Sequence, residues 1–280
     1  DVDHLAIEAS SHGLDQYRLD GVQLAAAAFT NLSRDHLDYH PTMEAYLDAK
    51  LRLFEVLLPC GATAVVNADI EPAARVAEIA QRRKQRLIRF GRNGTEIRLL
   101  KQLPGATGQV LELEVLGKRH TVTFPVVGLF QAENLLAALG LVIGSGADPE
   151  KTVGMIDRLT GVHGRIEHVA TTPSGGSIYV DYAHKPAGLE AVLTALRPHA
   201  EGRLVVVFGC GGDRDPGKRP QMGEIATRLA DRVIVTDDNP RTEDPAAIRA
   251  AILKGAPGAT EIGDRARAIE SAVRDLRHGD

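Results

Sequence analysis

Two stretches, residues 203–208 and 232–236, restrict this chain more than any other feature. Each is a short β-branched run that feeds a polar loop and then a helix opening at or near a proline. Strand, loop and helix repeated in that order call for right-handed crossovers and a largely parallel sheet. Residues 178–181 read as a further strand of it, with helical runs at 186–197 and 220–229 between the strands. In such a sheet ligands bind outside the carboxyl ends of the strands. The loops at 209–219 and 237–241 are therefore the first places to look for chemistry.

The first half follows a related pattern. Apolar strand-like runs occupy 5–8 and 25–30, and a helix is expected over 42–58, where Met43, Leu47, Leu51, Phe54 and Leu58 recur at three and four. A strand at 62–67 leads into a helix through Ile79 with a basic end at 82–84, favourable at a helix C-terminus. Shorter strands at 87–90, 96–100, 110–116 and 121–124, separated by Gly-Arg-Asn-Gly and Gly-Lys, suggest antiparallel turns. A helix over 131–143 closes this half. A length of 280 residues suits two domains, and the alternation of strands and helices that begins near residue 162 sets them at 1–161 and 162–280. No internal repeat is evident.

The chain carries 33 basic and 37 acidic residues, a formal charge of -4 with no long basic run. That gives no support for nucleic-acid binding or a polybasic membrane surface. No apolar stretch is long enough for a membrane span or signal peptide, and there are only two cysteines, Cys60 and Cys210. The expectation is a cytoplasmic protein with reduced thiols and no membrane insertion. The chain opens on Asp1 with no starting methionine and reads as cut from something longer.

Loop 209–219 holds Arg214, Lys218 and Arg219 among glycines, and loop 237–241 holds Asp237, Asp238, Asn239 and Arg241. Glycines allow close backbone approach to a ligand, and a guanidinium can grip a carboxylate in a bidentate fork. Two arginines suit a substrate with more than one carboxylate, while Asp237, Asp238 and Asn239 can accept from its ammonium. A phosphate loop and a plain solvated loop remain alternatives, although neither the Walker A pattern nor the dinucleotide fingerprint is present. In the first half, Glu8 and the segment Asp35-His36-Leu-Asp-Tyr-His40 could gather hard ligands for Mg²⁺; His12 and His40 could equally be ordinary hydrogen-bonded residues. Lys50 falls on an apolar helical face, where it either snorkels or becomes an anionic carbamate. Asp181 is a candidate ribose acceptor or a turn aspartate. Arg165 could reach a phosphate or pair with a local acid, and Asn134 could read an adenine edge or be an exposed polar position.

Taken together, Glu8-Ala-Ser-Ser-His-Gly-Leu14, Phe29-Thr-Asn-Leu-Ser-Arg-Asp-His-Leu-Asp-Tyr-His40, Ala49-Lys-Leu51, His163-Gly-Arg-Ile-Glu167, Val180-Asp-Tyr-Ala-His184, Gly209-Cys-Gly-Gly-Asp-Arg-Asp215 and Asp238-Asn-Pro-Arg241 resemble the Mur ligase family. Seven segments in the family's order cover essentially the whole chain. The resemblance implies an α/β fold: a partial central ATPase domain with a small antiparallel extension, then a Rossmann-like C-terminal domain. It implies an ATP-dependent ligase of peptidoglycan synthesis that activates a D-glutamate carboxylate as an acyl phosphate and couples it to an amino acid. Its ligands would be ATP, Mg²⁺, a UDP-N-acetylmuramoyl dipeptide and meso-diaminopimelate, bound by a monomer.

By the same resemblance Glu8, His36 and an N6-carboxylated Lys50 would hold Mg²⁺, with Lys50, His36 and Arg165 at the catalytic centre. Asn134, Arg165 and Asp181 would contact the nucleotide. Arg214, Asp238, Asn239 and Arg241 would bind diaminopimelate, since Asp-Asn-Pro-Arg marks members that add diaminopimelate rather than lysine. Gln131 stands where the family usually has asparagine, and Lys185 where it has threonine. The family's Gly-rich phosphate loop, its UDP-binding domain and its Gly-Lys-Gly-His-Glu region are absent from this sequence, so the chain by itself is expected to be inactive. A lysine-adding relative, a folylpolyglutamate synthase and a non-catalytic binding module are the competing readings; a dinucleotide oxidoreductase is more distant.

Overall fold

The computed structural model describes residues 3–32 and 39–280. The chain forms two compact units, one of residues 1–102, 111–122 and 131–157, the other of 103–110, 123–130 and 158–280.

The first unit holds most of a sheet with the order β1 (Ala26–Phe29), β2 (Thr63–Asn67), β3 (Arg86–Gly91), β4 (Ile97–Gly105), β5 (Gly108–Val115) and β6 (Lys118–Phe124). β1, β2 and β3 are parallel, with Ala26 opposite Thr63 and Thr63 opposite Arg86. Every residue of β2 is buried, as expected of a parallel strand covered on both faces. On one face α1 (Ser11–Asp15), α2 (Met43–Arg52) and α3 (Ala73–Arg82) contribute Leu14, Leu47, Leu51, Val76 and Ile79 to a core with Ala64 and Val66. On the other face lies α4 (Leu129–Gly144). A Cβ at its Gly140 would stand 2.5 Å from Val65 Cγ1, and one at Gly144 2.8 Å from Thr63 Cγ2, so small residues let this helix sit close to the sheet. The short α5 (Pro149–Val153) follows, capped by the Asp148 carboxylate.

Three expectations for this half change. Residues 5–8 carry no ladder, and Leu5 is 76% exposed; apolar content alone cannot make a strand that has no partner. The helix expected over 42–58 starts as proposed, with Thr42 Oγ1 accepting from Ala45 N at 3.1 Å, but widens into a π turn at Leu53–Leu57 that buries Leu53 and Phe54. Buried Gln85 donates Nε2 to Phe54 O at 2.7 Å and Leu58 O at 2.8 Å, satisfying carbonyls freed by that turn. Finally, β3 and β4 meet in parallel, Phe90 opposite Ile97, rather than as an antiparallel hairpin. The Asp69 carboxylate accepts from Arg92 N at 2.6 Å and Asn93 N at 2.8 Å, folding the link back so that the chain restarts in the same direction. The turn between β5 and β6 is as expected: Leu116 and Gly117 both have positive φ, 50° and 83°, the twist that suits a two-residue hairpin.

In the second unit β7 (Glu167–Thr171) and β8 (Ser177–Val180) form an antiparallel pair with a bulge between His168 and Ala170. Strand 178–181 therefore does not join the parallel sheet. The tight turn after β7, where Thr172 N donates to Gly176 O at 2.8 Å, returns the chain directly to β7 as a hairpin. The parallel sheet is β11 (Thr260–Glu261), β10 (Arg232–Val235) and β9 (Val205–Phe208), in that order, with Val205 opposite Arg232. Around it pack α6 (Pro186–Leu196), α7 (Lys218–Leu229), α8 (Pro245–Leu253) and α9 (Arg265–Arg274). Side chains alternate across the strands: Phe208, Val233 and Val235 face a core with Leu189, Leu193, Met222, Ile248 and Ile252, whereas Ile234, Val205 and Val207 pack with Ala268 and Ala272. α8 is the proline-opened helix expected after strand 232–236 and its loop, whereas β7, β11 and α9 had no counterpart in the sequence reading. No described helix is long and apolar enough to cross a membrane, and both cysteines are free thiols.

Candidate functional site

At the carboxyl ends of β9 and β10 two loops, 209–217 and 236–244, lie directly against each other. Gly212 N donates to Asn239 O at 2.9 Å, and Arg241 Nη1 donates to Gly212 O at 2.8 Å. The glycines make this approach possible. A Cβ at Gly209 would collide with Thr236 O, and one at Gly212 with Pro240 O. Their purpose differs from the sequence expectation: Gly209 and Gly212 admit the backbone of the neighbouring loop rather than a ligand.

The charged residues sort into two groups. Arg219 is buried and gives both terminal nitrogens to Glu243, Nη1 to Oε2 at 2.9 Å and Nη2 to Oε1 at 2.8 Å. This fork, together with the Asp213 amide 2.6 Å from Oε1, holds the Glu243 carboxyl below the usual carboxylate range. Arg219 is thereby a strut and not a substrate reader. Asp237, expected to meet a substrate ammonium, is instead bound by Arg249 Nη1, and its backbone oxygen accepts from Arg265 Nη1 at 3.1 Å.

The second group stays at the surface. Arg214, Asp238, Asn239 and Arg241 are all exposed at the rim of the two loops. Arg214 donates to the neighbouring Asp213 O, at 3.2 Å, and Asn239 Oδ1 accepts from Arg241 N at 3.3 Å. Two guanidinium groups, a carboxylate and an amide thus share one solvent-facing rim, the donor and acceptor mixture that a zwitterion with additional carboxylate requires. Cys210 lies beneath, 3.7 Å from Met222 Sδ, its thiol pKa pushed up by burial.

Asp181 follows β8 and has both oxygens engaged: Oδ2 accepts from Ile166 N at 2.9 Å and Oδ1 from Ala183 N at 2.7 Å. It acts as a turn aspartate, although each oxygen keeps a second lone pair for another donor. Arg165 is exposed and lies 5.8 Å from the Tyr182 ring centre, a cation–π arrangement; among the described residues it forms no local ion pair. Lys218 Nζ donates to His184 O at 2.8 Å, joining this segment to the first loop of the rim.

In the first unit, Glu8 is exposed and Lys50 is half-buried, its Nζ 5.1 Å from the Tyr46 ring centre. That contact suits an ammonium; Lys50 could ligate a cation only as a carbamate. His36, with Asp35, falls outside the described residues. Among the described residues no group of three or more His, Cys, Asp or Glu gathers around a metal position. Glu8 is the one hard oxygen donor of the expected set within them, so the set fits Mg²⁺ only if His36 and a modified Lys50 complete it. His12 and buried His40 belong to a column of rings with Tyr39 and Tyr46, with His12 and Tyr39 centroids 4.0 Å apart. Asn134 is exposed on α4 and donates to Gln131 Oε1 at 2.9 Å, so the unusual glutamine is in contact with the candidate adenine reader.

Sequence reasoning missed Glu243 and left Arg219 as one more loop cation without a role of its own. One signal could have corrected this: Arg219 lies one turn before Met222 and Gly223 on the inward face of α7, where a cation demands a partner.

Residues 1–142 match the Mur ligase middle domain, and residues 164–280 match the Mur ligase, glutamate ligase domain. A UDP-N-acetylmuramoyl-L-alanyl-D-glutamate--2,6-diaminopimelate ligase from Caulobacter vibrioides is 55% identical over 279 residues, covering 100% of this chain and 57% of the relative. One of the same description from Bradyrhizobium diazoefficiens is 55% identical, with 100% and 58% covered. A solved structure of a protein of that description superposes with a TM-score of 0.77 at 38% identity, over 97% of this chain and 56% of that one. The chain thus spans rather more than half the length of the relatives it matches.

Proposed function

The chain belongs to the Mur ligase family, and from that premise we propose that it is part of a ligase joining meso-2,6-diaminopimelate to UDP-N-acetylmuramoyl-L-alanyl-D-glutamate at the expense of ATP. The observation that carries this reading is the rim of the paired loops, where Arg214 and Arg241 stand beside Asp238 and Asn239. The division of labour assigns ATP to residues 1–161 and the incoming amino acid to 162–280, in a cytoplasmic monomer.

The chemistry follows from the poor electrophilicity of a carboxylate. Transfer of the γ-phosphoryl group to the D-glutamate γ-carboxylate gives an acyl phosphate and ADP. Attack by the diaminopimelate amine then forms the amide, releasing phosphate and a proton. Arg214 and Arg241 orient the amine by gripping carboxylates, which raises its effective concentration at the acyl carbon. Asp238 and Asn239 accept from an ammonium of the substrate. Asp181 and Asn134 would hold ribose and adenine, and Arg165 a phosphate. Glu8, His36 and Lys50 as its carbamate would hold Mg²⁺, which when bound neutralises charge on the transferring phosphoryl group.

A chimera tests the assignment: this chain replaces the matched portion of the Caulobacter vibrioides relative, and purified protein is given UDP-dipeptide, meso-diaminopimelate, ATP and Mg²⁺. UDP-tripeptide, ADP and phosphate are expected in equal amounts. A folded chimera that makes no tripeptide refutes the reading.

A further inference from the structure

The two loops of the rim grip each other reciprocally. Glu243 Oε1 accepts from Asp213 N at 2.6 Å, while Asp213 Oδ1 accepts from Thr242 Oγ1 at 2.7 Å and Oδ2 from Thr242 N at 3.3 Å. Arg214 follows one end of this grip and Arg241 precedes the other. Asp213 and Arg241 are both at left-handed φ, 52° and 50°, a conformation that non-glycine residues keep only when their surroundings hold them there. What anchors the grip is Arg219, whose side chain is 5% exposed and whose fork closes on both oxygens of Glu243. Because Arg219 projects from α7, the loop carrying Arg241 is tied to the helix that begins directly after the loop carrying Arg214. A planar bidentate pair fixes orientation as well as distance, which a single contact cannot do.

We propose that the Arg219–Glu243 pair is a positioning device that sets the spacing between Arg214 and Arg241, and with it the preference for an amino acid bearing two carboxylates over one bearing a single carboxylate. The inference rests on the reading of Arg214 and Arg241 given above. A ligand with two carboxylates a fixed number of bonds apart is discriminated only if its two readers are held apart by a matching distance. The pair touches no substrate; it acts through the residues next to it.

Calorimetric titration of the 280-residue chain with meso-diaminopimelate and with L-lysine tests this, comparing the unsubstituted chain with Glu243→Gln, Arg219→Lys and Arg214→Ala. Glu243→Gln removes the carboxylate's charge and half of the fork. It is expected to weaken diaminopimelate about 10- to 100-fold, the worth of a charge-assisted hydrogen bond lost by a displaced reader. L-lysine binding and the stoichiometry stay as they were. Arg219→Lys, which keeps the charge but not the fork, is expected to fall between. A merely structural role would lower the stoichiometry through unfolded protein, leave the ratio of the two affinities unchanged, and overturn the proposal. If Arg214→Ala abolishes the preference and Glu243→Gln does not, the inference fails while the reading of the site stands. If Arg214→Ala has no effect, or the unsubstituted chain binds neither amino acid, that reading fails and takes the inference with it.

Discussion

Gly212→Ala probes the contact on which the whole rim depends. Its Cβ would collide with Pro240 O, lie 2.7 Å from Pro240 C and stand 3.3 Å from Glu243 Cβ. Two of these neighbours are backbone, so no rotamer change relieves the clash and the loops must move apart. Overpacking of this kind costs about 1–3 kcal/mol. Separation also weakens the Gly212 N to Asn239 O bond of 2.9 Å and the Arg241 to Gly212 O bond of 2.8 Å, each worth about 1 kcal/mol. With both bonds lost the sum is about 3–5 kcal/mol, corresponding to a fall of roughly 10–20 °C in the melting temperature of a unit of this size. Differential scanning calorimetry of the second unit's transition reads it directly. Gly258→Ala is the control, since nothing lies within 4 Å of its added methyl; its effect should stay within about 0.5 kcal/mol. If Gly212→Ala melts with the Gly258→Ala control, the loops are not in the contact described.

Gln85→Leu strips two donors from Phe54 O and Leu58 O and buries both carbonyls unpaired; urea unfolding should show a loss of about 2–5 kcal/mol in the first unit. Asp181→Ala leaves the Ile166 and Ala183 amides without their acceptor, and a destabilisation of about 1–3 kcal/mol is expected by the same assay. The Glu243 carboxyl is held below its ordinary value of 4.5 in the folded state, chiefly by Arg219. A depressed acid contributes stability above its unfolded pKa and loses it as pH falls through the folded value. Stability measured from pH 4.5 downward should therefore fall less steeply in Glu243→Gln than in the unsubstituted chain; equal slopes would contradict the ion pair.

The parallel strands at 62–67, 203–208 and 232–236 were legible because continuous β-branched runs bounded by polar loops have few other uses. Residues 5–8 show the limit of that signal: a strand is completed by its partner, and a sequence window does not contain the partner. Likewise the Gly-Arg-Asn-Gly turn spells a hairpin locally, yet Asp69, more than twenty positions earlier, decides the direction in which the chain leaves. The rim residues Arg214, Asp238, Asn239 and Arg241 were legible by residue type and by position after strands. The division of labour among the charges was not. Arg219 and Arg214 are chemically the same and five positions apart, but one is buried against Glu243 and the other faces solvent. Asp237 was read as a substrate acceptor because its partner, Arg249, comes from the following helix. The glycines too were read correctly as marks of close approach, while what approaches was visible only in three dimensions.

Arg241 and Arg214, as readers of two carboxylates, are the centre of the proposed function. The most direct test compares kcat/KM for meso-diaminopimelate and for L-lysine in the chimera described above, before and after Arg241→Ala. A loss of about 10- to 100-fold is expected for diaminopimelate, with lysine little affected, so that the preference narrows or vanishes. A preference that survives Arg241→Ala intact, or an unsubstituted chimera that favours L-lysine, would contradict that reading.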